Sequence, residues 1–465
     1  MGESSTKVAV FQQPASGAEW SSVNVWHTAS LIQRIAFAVL PEVLGDIVPA
    51  YADHTAERGS IARSFPMAAA SHSTSPSAST AGTFSLVIGG PFYRTLVRMR
   101  LVEDPGPNIA RRIVALLTVT WAPLVLLALM QGVAFGGKVN IPLFYDFSIY
   151  GRFLVGLPLL IVAEIVIDPW IRRVVATFDA TGIIGEADLP VFHAALARIA
   201  RLRDSSIAEL IIAGFAFCPF FLLEGYDWGS TGAFAWHTSP SGRLSVAGWW
   251  FALVAAPVLR FLIFRWFWRY ALWTALLRSI ARLRLDLVPT HPDRLGGLGF
   301  VVFAQKHFGI LFGAAGSLVA GYYANAIAYF GTPLAAVKAS MAAFVIFALV
   351  VVLAPLTMFS PKLAETRRNG WLRYSRVGRH LAGSFESKWI DEPSLHEGDL
   401  LEARDSSSLA NYGKSFDVIQ EMRIVPINKQ LVIQVAAEAA APLAALWIFA
   451  TPMDQLIAKL LKMLL

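Results

Sequence analysis

Residues 285–300 read LDLVPTHPDRLGGLGF, with two prolines, three glycines and a cluster of His291, Asp293 and Arg294. On either side the chain turns strongly apolar: FALVAAPVLRFLIF at 251–264 and GILFGAAGSLVAGYYANAIAYF at 309–330. The polar segment is therefore a connector between two stretches apolar enough for a bilayer. The class of the fold turns on how many such stretches exist and which compartment their connectors face.

The 465 residues are 55% hydrophobic and only 15% charged, with a mean hydropathy of +0.54. A soluble domain carries about 25% charged residues, so the composition reads as a membrane protein. The single cysteine, Cys218, lies in the apolar run FAFCPFFLL. It excludes an intramolecular disulfide and a thiolate metal cluster, and it reads as a small buried hydrophobe. The first 30 residues lack a basic start followed by an apolar core, so no secretory leader is expected and the first spanning helix does its own targeting.

Six windows of about 20 apolar residues stand out, at 113–133, 151–171, 207–224, 246–264, 308–330 and 335–358. A seventh, 431–450, is weaker because it contains Glu438 and Pro442. The fold class expected is all-α, a polytopic bundle of six or seven transmembrane helices with cytoplasmic helical extensions. Residues 92–112, 172–204, 265–308 and 360–434 carry 28 Lys and Arg, whereas the opposite connectors carry four, Lys138, Arg152, Arg243 and Lys338. Cationic side chains are retained on the cytoplasmic side, so the amino terminus and the 285–300 connector are assigned to the cytoplasm. The same asymmetry explains the net charge of +7 without nucleic acid. Trp249 and Trp250, and Tyr322, Tyr323 and Tyr329, fall where an outer aromatic belt belongs.

Four regions follow. Residues 1–83 are a Ser/Ala-rich arm expected to be disordered, with RIAFAVLPEVL at 34–44 as a short amphipathic surface helix. Residues 84–358 form the six-helix membrane bundle, opened by the arginine-studded interfacial segment 91–102. Residues 359–430 are a cytoplasmic helical insert. Residues 431–465 are a membrane helix or hairpin, in which Pro442 breaks the helix, Pro452 turns the chain back and Lys459 and Lys462 lie on an amphipathic end.

GGPFYRTLVRMRL, TWAPLVLLAL, RFLVGLPLLIVAE, RLRDS, THPDRLGGLGF and MRIVP together resemble a group of uncharacterised multi-pass inner-membrane proteins of bacteria. The resemblance covers about residues 84 to 465. It implies a shared membrane architecture in the bacterial inner membrane and supplies no catalytic residues.

An ionisable group at bilayer depth costs at least roughly 2.5–3.5 kcal/mol, so each needs a partner or water. Glu164 lies 13 residues after Gly151 and Arg260 lies 14 after Val246, both on helices running inward. At about 1.5 Å per residue they share a level, and an ion pair between them is expected, either a gate or proton relay or a structural tie. Asp168 is expected to pair with Arg172 four residues on. Ser206-Ile-Ala-Glu209 reads as a capping box. Glu438, in the small-residue segment VAAEAAAPLAA, is a candidate for lining a pathway, with Asp168, or for reaching the interface. Gly309 and Gly313 make a close-packing GxxxG face, used either within a chain or between chains.

For the connector three readings stand. His291, Asp293 and Arg294 could carry chemistry, but two metal ligands without a third are weak. HPD marks J-domain cochaperones and GLGF the carboxylate loop of PDZ domains, both in contexts unlike this one. Alternatively Gly296, Gly297 and Gly299 open a helix whose free N–H groups, with Arg294, would take a lipid phosphate or small anion. Most simply the segment is a rigid turn. No phosphate loop, zinc motif or nucleophile elbow appears, so no cofactor or metal is expected. The function expected is a channel or transporter for an ion or small solute, with a lipid-handling enzyme using the connector, or a non-transporting scaffold or sensor, as alternatives. The expected partners are membrane lipids, anionic phospholipid among them, and further copies of the chain.

Overall fold

A computed structural model describes residues 84–101, 109–136, 139–222, 235–238, 243–391 and 404–447. The expectations for residues 1–83, for the 34–44 helix, for Lys138, for the side chain of Cys218 and for the tail with Pro452, Lys459 and Lys462 lie outside the described residues. Among the described residues every regular element is helical. They are α1 (Gly90–Arg98), α2 (Ile109–Met130), α3 (Phe147–Ala180), α4 (Leu189–Arg203), α5 (Ser206–Leu222) and α6 (Val246–Ala281). Then come α7 (Gly299–Lys306), α8 (Gly309–Phe330), α9 (Leu334–Trp389), α10 (Arg404–Gln420) and α11 (Lys429–Ala444). Five helical stretches, α2, α3, α6, α7 with α8, and α9, are long and apolar enough to cross a bilayer, and the chain is a multi-pass membrane protein. They match five of the six strong windows. The window at 207–224 falls on the shorter apolar helix α5, and the weak one on α11.

Prolines shape the spans. A helical proline lacks the N–H that the carbonyl four residues earlier would accept, and its ring presses on that carbonyl. Before Pro158 the helix widens into a π segment over Tyr150–Gly156, closed by the Leu157 N–H donating to the Arg152 carbonyl. Before Pro257 the same happens over Phe251–Ala255, closed by Ala256 N–H to Phe251 O. Within the π segment of α3 the Gly151 carbonyl accepts from the Ser317 hydroxyl of α8 at 2.8 Å. In α9, Pro355 deprives Val351 O of its helical donor and the helix tightens to 3-10 over Ala354–Phe359. The Tyr270 hydroxyl donates to Val351 O at 2.5 Å, and Gln305 Nε2 donates to Val352 O at 2.6 Å. The acceptor freed by Pro355 is thus met by a neighbouring helix, as backbone in a water-poor interior requires.

The expected break at Pro442 does not occur, because α11 runs through it. The carbonyl that loses its donor is that of Glu438, and α8 covers it: a Cβ at Gly313 would stand 3.2 Å from that oxygen. One at Gly316 would stand 2.8 Å from the Ala439 carbonyl oxygen. The GxxxG face is thus used within the chain, against the small residues of α11.

The four basic stretches gather at one end of the bundle. Asp188 Oδ2 accepts from the Arg284 N–H at 2.8 Å, Arg294 Nη2 pairs with Glu421 Oε2 at 2.7 Å, and Arg367 Nη2 donates to Gln420 O at 2.6 Å. There α9 continues past its apolar part as Ser360–Trp389, about 45 Å of largely exposed helix at 1.5 Å per residue. It is braced by α10, where Tyr412 donates to the Tyr374 carbonyl and its ring stacks on Tyr374.

Replacing Tyr270 by Phe should leave Val351 O without a donor and cost about 1–3 kcal/mol. A thermal melt of the detergent-solubilised protein should show a lower midpoint, and an unchanged one would mean that the hydroxyl does not serve this carbonyl.

Candidate functional site

The basic end holds a buried charge cluster around Glu164 of α3, whose side chain is 6% exposed. Arg112, in the first turn of α2, donates Nη2 to Glu164 Oε2. Arg269 of α6 donates Nη1 to Glu164 Oε1 at 2.7 Å. Arg265, one turn earlier on α6, stands 3.6 Å from the same oxygen and 3.8 Å from Glu209 Oε1. Glu164 is therefore partnered three times over, and Arg260 is not among its partners. Arg260 donates Nη1 to the Ala216 carbonyl of α5 at 2.7 Å. Both the level and the face differ from the expected pair: Arg265 and Arg269 lie five and nine residues past Arg260, about 7.5 and 13.5 Å further along α6 at 1.5 Å per residue. At about 100° per residue, Arg265 and Arg269 lie roughly 140° and 180° around α6 from Arg260, and that opposite face is the one turned to α3.

Aromatic rings seat the guanidiniums. Arg265 Cζ lies 4.6 Å from the Phe92 ring centroid, and Arg269 Cζ lies 4.9 Å from that of Trp266. Trp266 is itself fixed, its Nε1 donating to Leu160 O at 2.8 Å. Arg269 and Arg112 spend donors on Glu164. Arg265 donates no hydrogen bond to any described residue, so its planar donor fork is held by charge and ring contact alone.

The cluster also fastens the irregular residues 84–89 and the first turn of α1. Asp168 Oδ1 accepts from Ser85 Oγ at 2.6 Å, from Leu86 N–H at 3.0 Å and from Val87 N–H at 3.2 Å. Its Oδ2 accepts from Arg172 Nε at 2.7 Å. Arg203 donates to the Ser85 carbonyl, Arg269 Nη2 reaches Val87 O at 3.4 Å, and the Phe92 N–H donates to Glu209 Oε2 at 2.7 Å. Glu209 is thus no capping-box residue for its own helix. Ser205 caps α5, its Oγ accepting from Ala208 N–H at 3.3 Å, while Glu209 reaches across to α1 and towards Arg265. Asp168 anchors this segment and pairs with Arg172 as expected.

At the opposite end Asp146, absent from the sequence expectations, caps α3 and is 5% exposed. It accepts from Ser148 N–H at 2.9 Å, Asn325 Nδ2 at 2.7 Å and Trp236 Nε1 at 2.9 Å. An Asp two residues before a serine at the start of a span is the sequence signal that could have found it.

The connector at 285–300 is a self-filled anion site. Asp293 Oδ1 accepts from the N–H groups of Leu295 at 2.8 Å and Gly297 at 3.2 Å, and Oδ2 accepts from Gly299 N–H at 2.9 Å. His291 Nδ1 lies 2.8 Å from Oδ1. The donors that an external phosphate would need are taken by the chain's own carboxylate, and Arg294, at φ +57°, turns to Glu421. Gly296 and Gly297 adopt φ of +64° and +98°, which tightens the turn. The expected lipid or anion site at this position is accordingly corrected to a turn. Glu438 sits on α11 against Gly309, apart from the cluster; it is taken up below. Among the described residues no group of three or more His, Cys, Asp or Glu is arranged to hold a metal ion.

No family model, curated protein or solved structure matches the chain.

Burial raises the Asp293 carboxyl, but the N–H groups of Leu295, Gly299 and Gly297 and the His291 ring outweigh it and hold the group below its ordinary value. A carboxyl lowered by folding stabilises above its unfolded value of about 3.9 and loses that contribution as pH falls through the folded one. Asp293→Asn should therefore melt lower than wild type at pH 7, with the gap closing as pH falls below the ordinary carboxylate range. A gap that persists undiminished at acid pH would refute the assignment.

Proposed function

We propose that the protein is an integral membrane transporter or channel for a small anion, with the Glu164 cluster as its binding locus and Arg265 as the docking group. The observation that carries this reading is an imbalance: three guanidiniums, each under a tenth exposed, face two carboxylates, and one of the three has no hydrogen bond to a described residue. A buried cation with unspent donors is unfavourable unless something negative completes it. A single chloride or phosphate oxygen beside Arg265 would both neutralise the excess and use the donor fork.

The cluster lies about one helical turn inside the basic end, at the first turns of α2 and α5, where a solute entering from that side would meet it. The reading places that side in the cytoplasm of a bacterial cell and counts six or seven spans, with α5 the third and α11 the seventh. Its support is the 28-to-4 partition of Lys and Arg and the sequence resemblance to inner-membrane proteins. Lipids are the surrounding partners, and a homo-oligomer would have to form on a surface other than the Gly309 and Gly313 face, which α11 occupies.

A second reading, a non-transporting scaffold, is favoured by the two tight bonds from Arg112 and Arg269, which tie α2, α3 and α6 as a static lock would. Vesicles reconstituted with the purified protein and loaded with chloride or inorganic phosphate separate the two. Anion efflux that falls at least tenfold in Arg265→Gln and not in Arg260→Gln, in folded proteins, is the expected result. Absence of protein-dependent efflux of either anion, or efflux unaffected by Arg265→Gln, would overturn it in favour of the lock.

A further inference from the structure

Glu438 is the one acidic side chain facing the α8–α11 contact that lacks a cation bonded to it among the described residues. Its Oε1 accepts from Gln434 Nε2 at 2.8 Å, one turn back on α11. Its Oε2 is shut off from solvent and has no hydrogen-bond partner among the described residues. That oxygen lies against Gly309, in the place where a side chain at 309 would begin, with Val435 packed beside it. Lys306 attracts Glu438 from a distance, but none of the charged groups on the surrounding elements makes an ion pair with it among the described residues. Lys306, at the end of α7, directs Nζ over the Phe303 ring at 5.2 Å, and Lys338 of α9 directs its own over Trp447 at 5.4 Å. His307, between α7 and α8, stacks on Trp170 at 4.8 Å with Nδ1 on Phe303 O at 2.7 Å. Lys429 is at the far end of α11, more than two turns from Glu438.

An ionised carboxylate in this position would keep one buried oxygen without a hydrogen-bond donor or a bonded counter-ion, an arrangement that costs several kcal/mol. A neutral acid in the same place costs only the imperfect hydrogen bonding of a hydroxyl. We propose that Glu438 is a proton-binding site: the carboxyl is protonated when α11 is seated on α8, and Gly309 is the recess that receives it. Loss of the proton expels the carboxylate from the recess and loosens α11 from α8 without touching the Glu164 cluster. The ligand is a proton, exchanged at the carboxyl oxygen with no bond to carbon made or broken. The inference stands on the α8–α11 geometry alone and does not depend on anion transport.

The test uses the full chain in lipid or detergent. The infrared spectrum at pH 7 should contain a protonated-carboxyl C=O band that disappears in Glu438→Gln. The Gln variant, an isostere of the neutral acid, should melt no lower than wild type at pH 6 and higher than wild type at pH 9. Gly309→Ala, which fills the recess, should lower the midpoint in wild type more than in a Glu438→Ala background. A spectrum in which Glu438→Gln removes only an ionised-carboxylate band would overturn the proposal. So would a Gln variant that melts lower than wild type at both pH values. Should Glu438→Gln fail to fold, titration of the wild-type acid band decides: its presence at pH 6 and loss at pH 9 supports the site, and its absence at pH 6 rejects it.

Discussion

One carboxylate holds the basic end of the bundle together. Glu164 lies where solvent cannot screen it, and the hydrogen bonds from Arg112 and Arg269 link α2, α3 and α6 through its two oxygens. Removing one partner of a buried pair leaves an uncompensated charge, at a cost of about 3–5 kcal/mol, so none of these residues can be lost singly without disturbing the rest. Residues 84–89 and the first turn of α1 depend on the same neighbourhood, because their free backbone groups are met by Asp168, Arg203, Arg269 and Glu209. An excess guanidinium, Arg265, sits in this assembly. It connects the architecture to a chemistry, since what stabilises the fold also leaves a cation to be completed.

The cost of an unmet polar group in an apolar interior also bears on the irregular helices. Pro158, Pro257 and Pro355 each open or tighten a span, and Ser317, Tyr270 and Gln305 supply donors at two of the three openings. The kinks are therefore paired with side chains on other helices and are fixed features of the packing. Pro442 belongs to the same set, with a difference: the carbonyl it frees lies against glycines of α8, so the helix can continue.

Much of this was legible before any coordinates. Long apolar windows announced the membrane class, and the clustering of arginines separated two ends, because both depend on composition along the chain. The turn at 285–300 was legible from its prolines, glycines and Asp293, though that carboxylate's occupation of the supposed anion site was not, since it depends on a side chain folding back onto N–H groups two to six residues ahead. That Glu164 needs a partner is legible, but its choice needs both the rotation of α6 and its true level, and counting residues from the ends of apolar windows misplaces Arg260 by one to two and a half turns from Arg265 and Arg269. Arg112, Arg265 and Arg269 had been counted as loop charges of the basic side; their burial follows from helices that extend beyond the apolar windows used to define them. Glu209 was misread because its capping motif is local, whereas its bonds go to Phe92 and Arg265, which are distant in sequence. Asp146 went unnoticed because a lone Asp at a span boundary looks like an ordinary surface residue.

The account rests on which arginine answers Glu164. A double-mutant cycle on the solubilised protein, combining Glu164→Gln with Arg269→Gln and, separately, with Arg260→Gln, measures this directly. Coupling above about 1 kcal/mol with Arg269, and within about 0.5 kcal/mol of zero with Arg260, is the predicted result. Additive losses for Glu164 and Arg269, or strong coupling between Glu164 and Arg260, would contradict it.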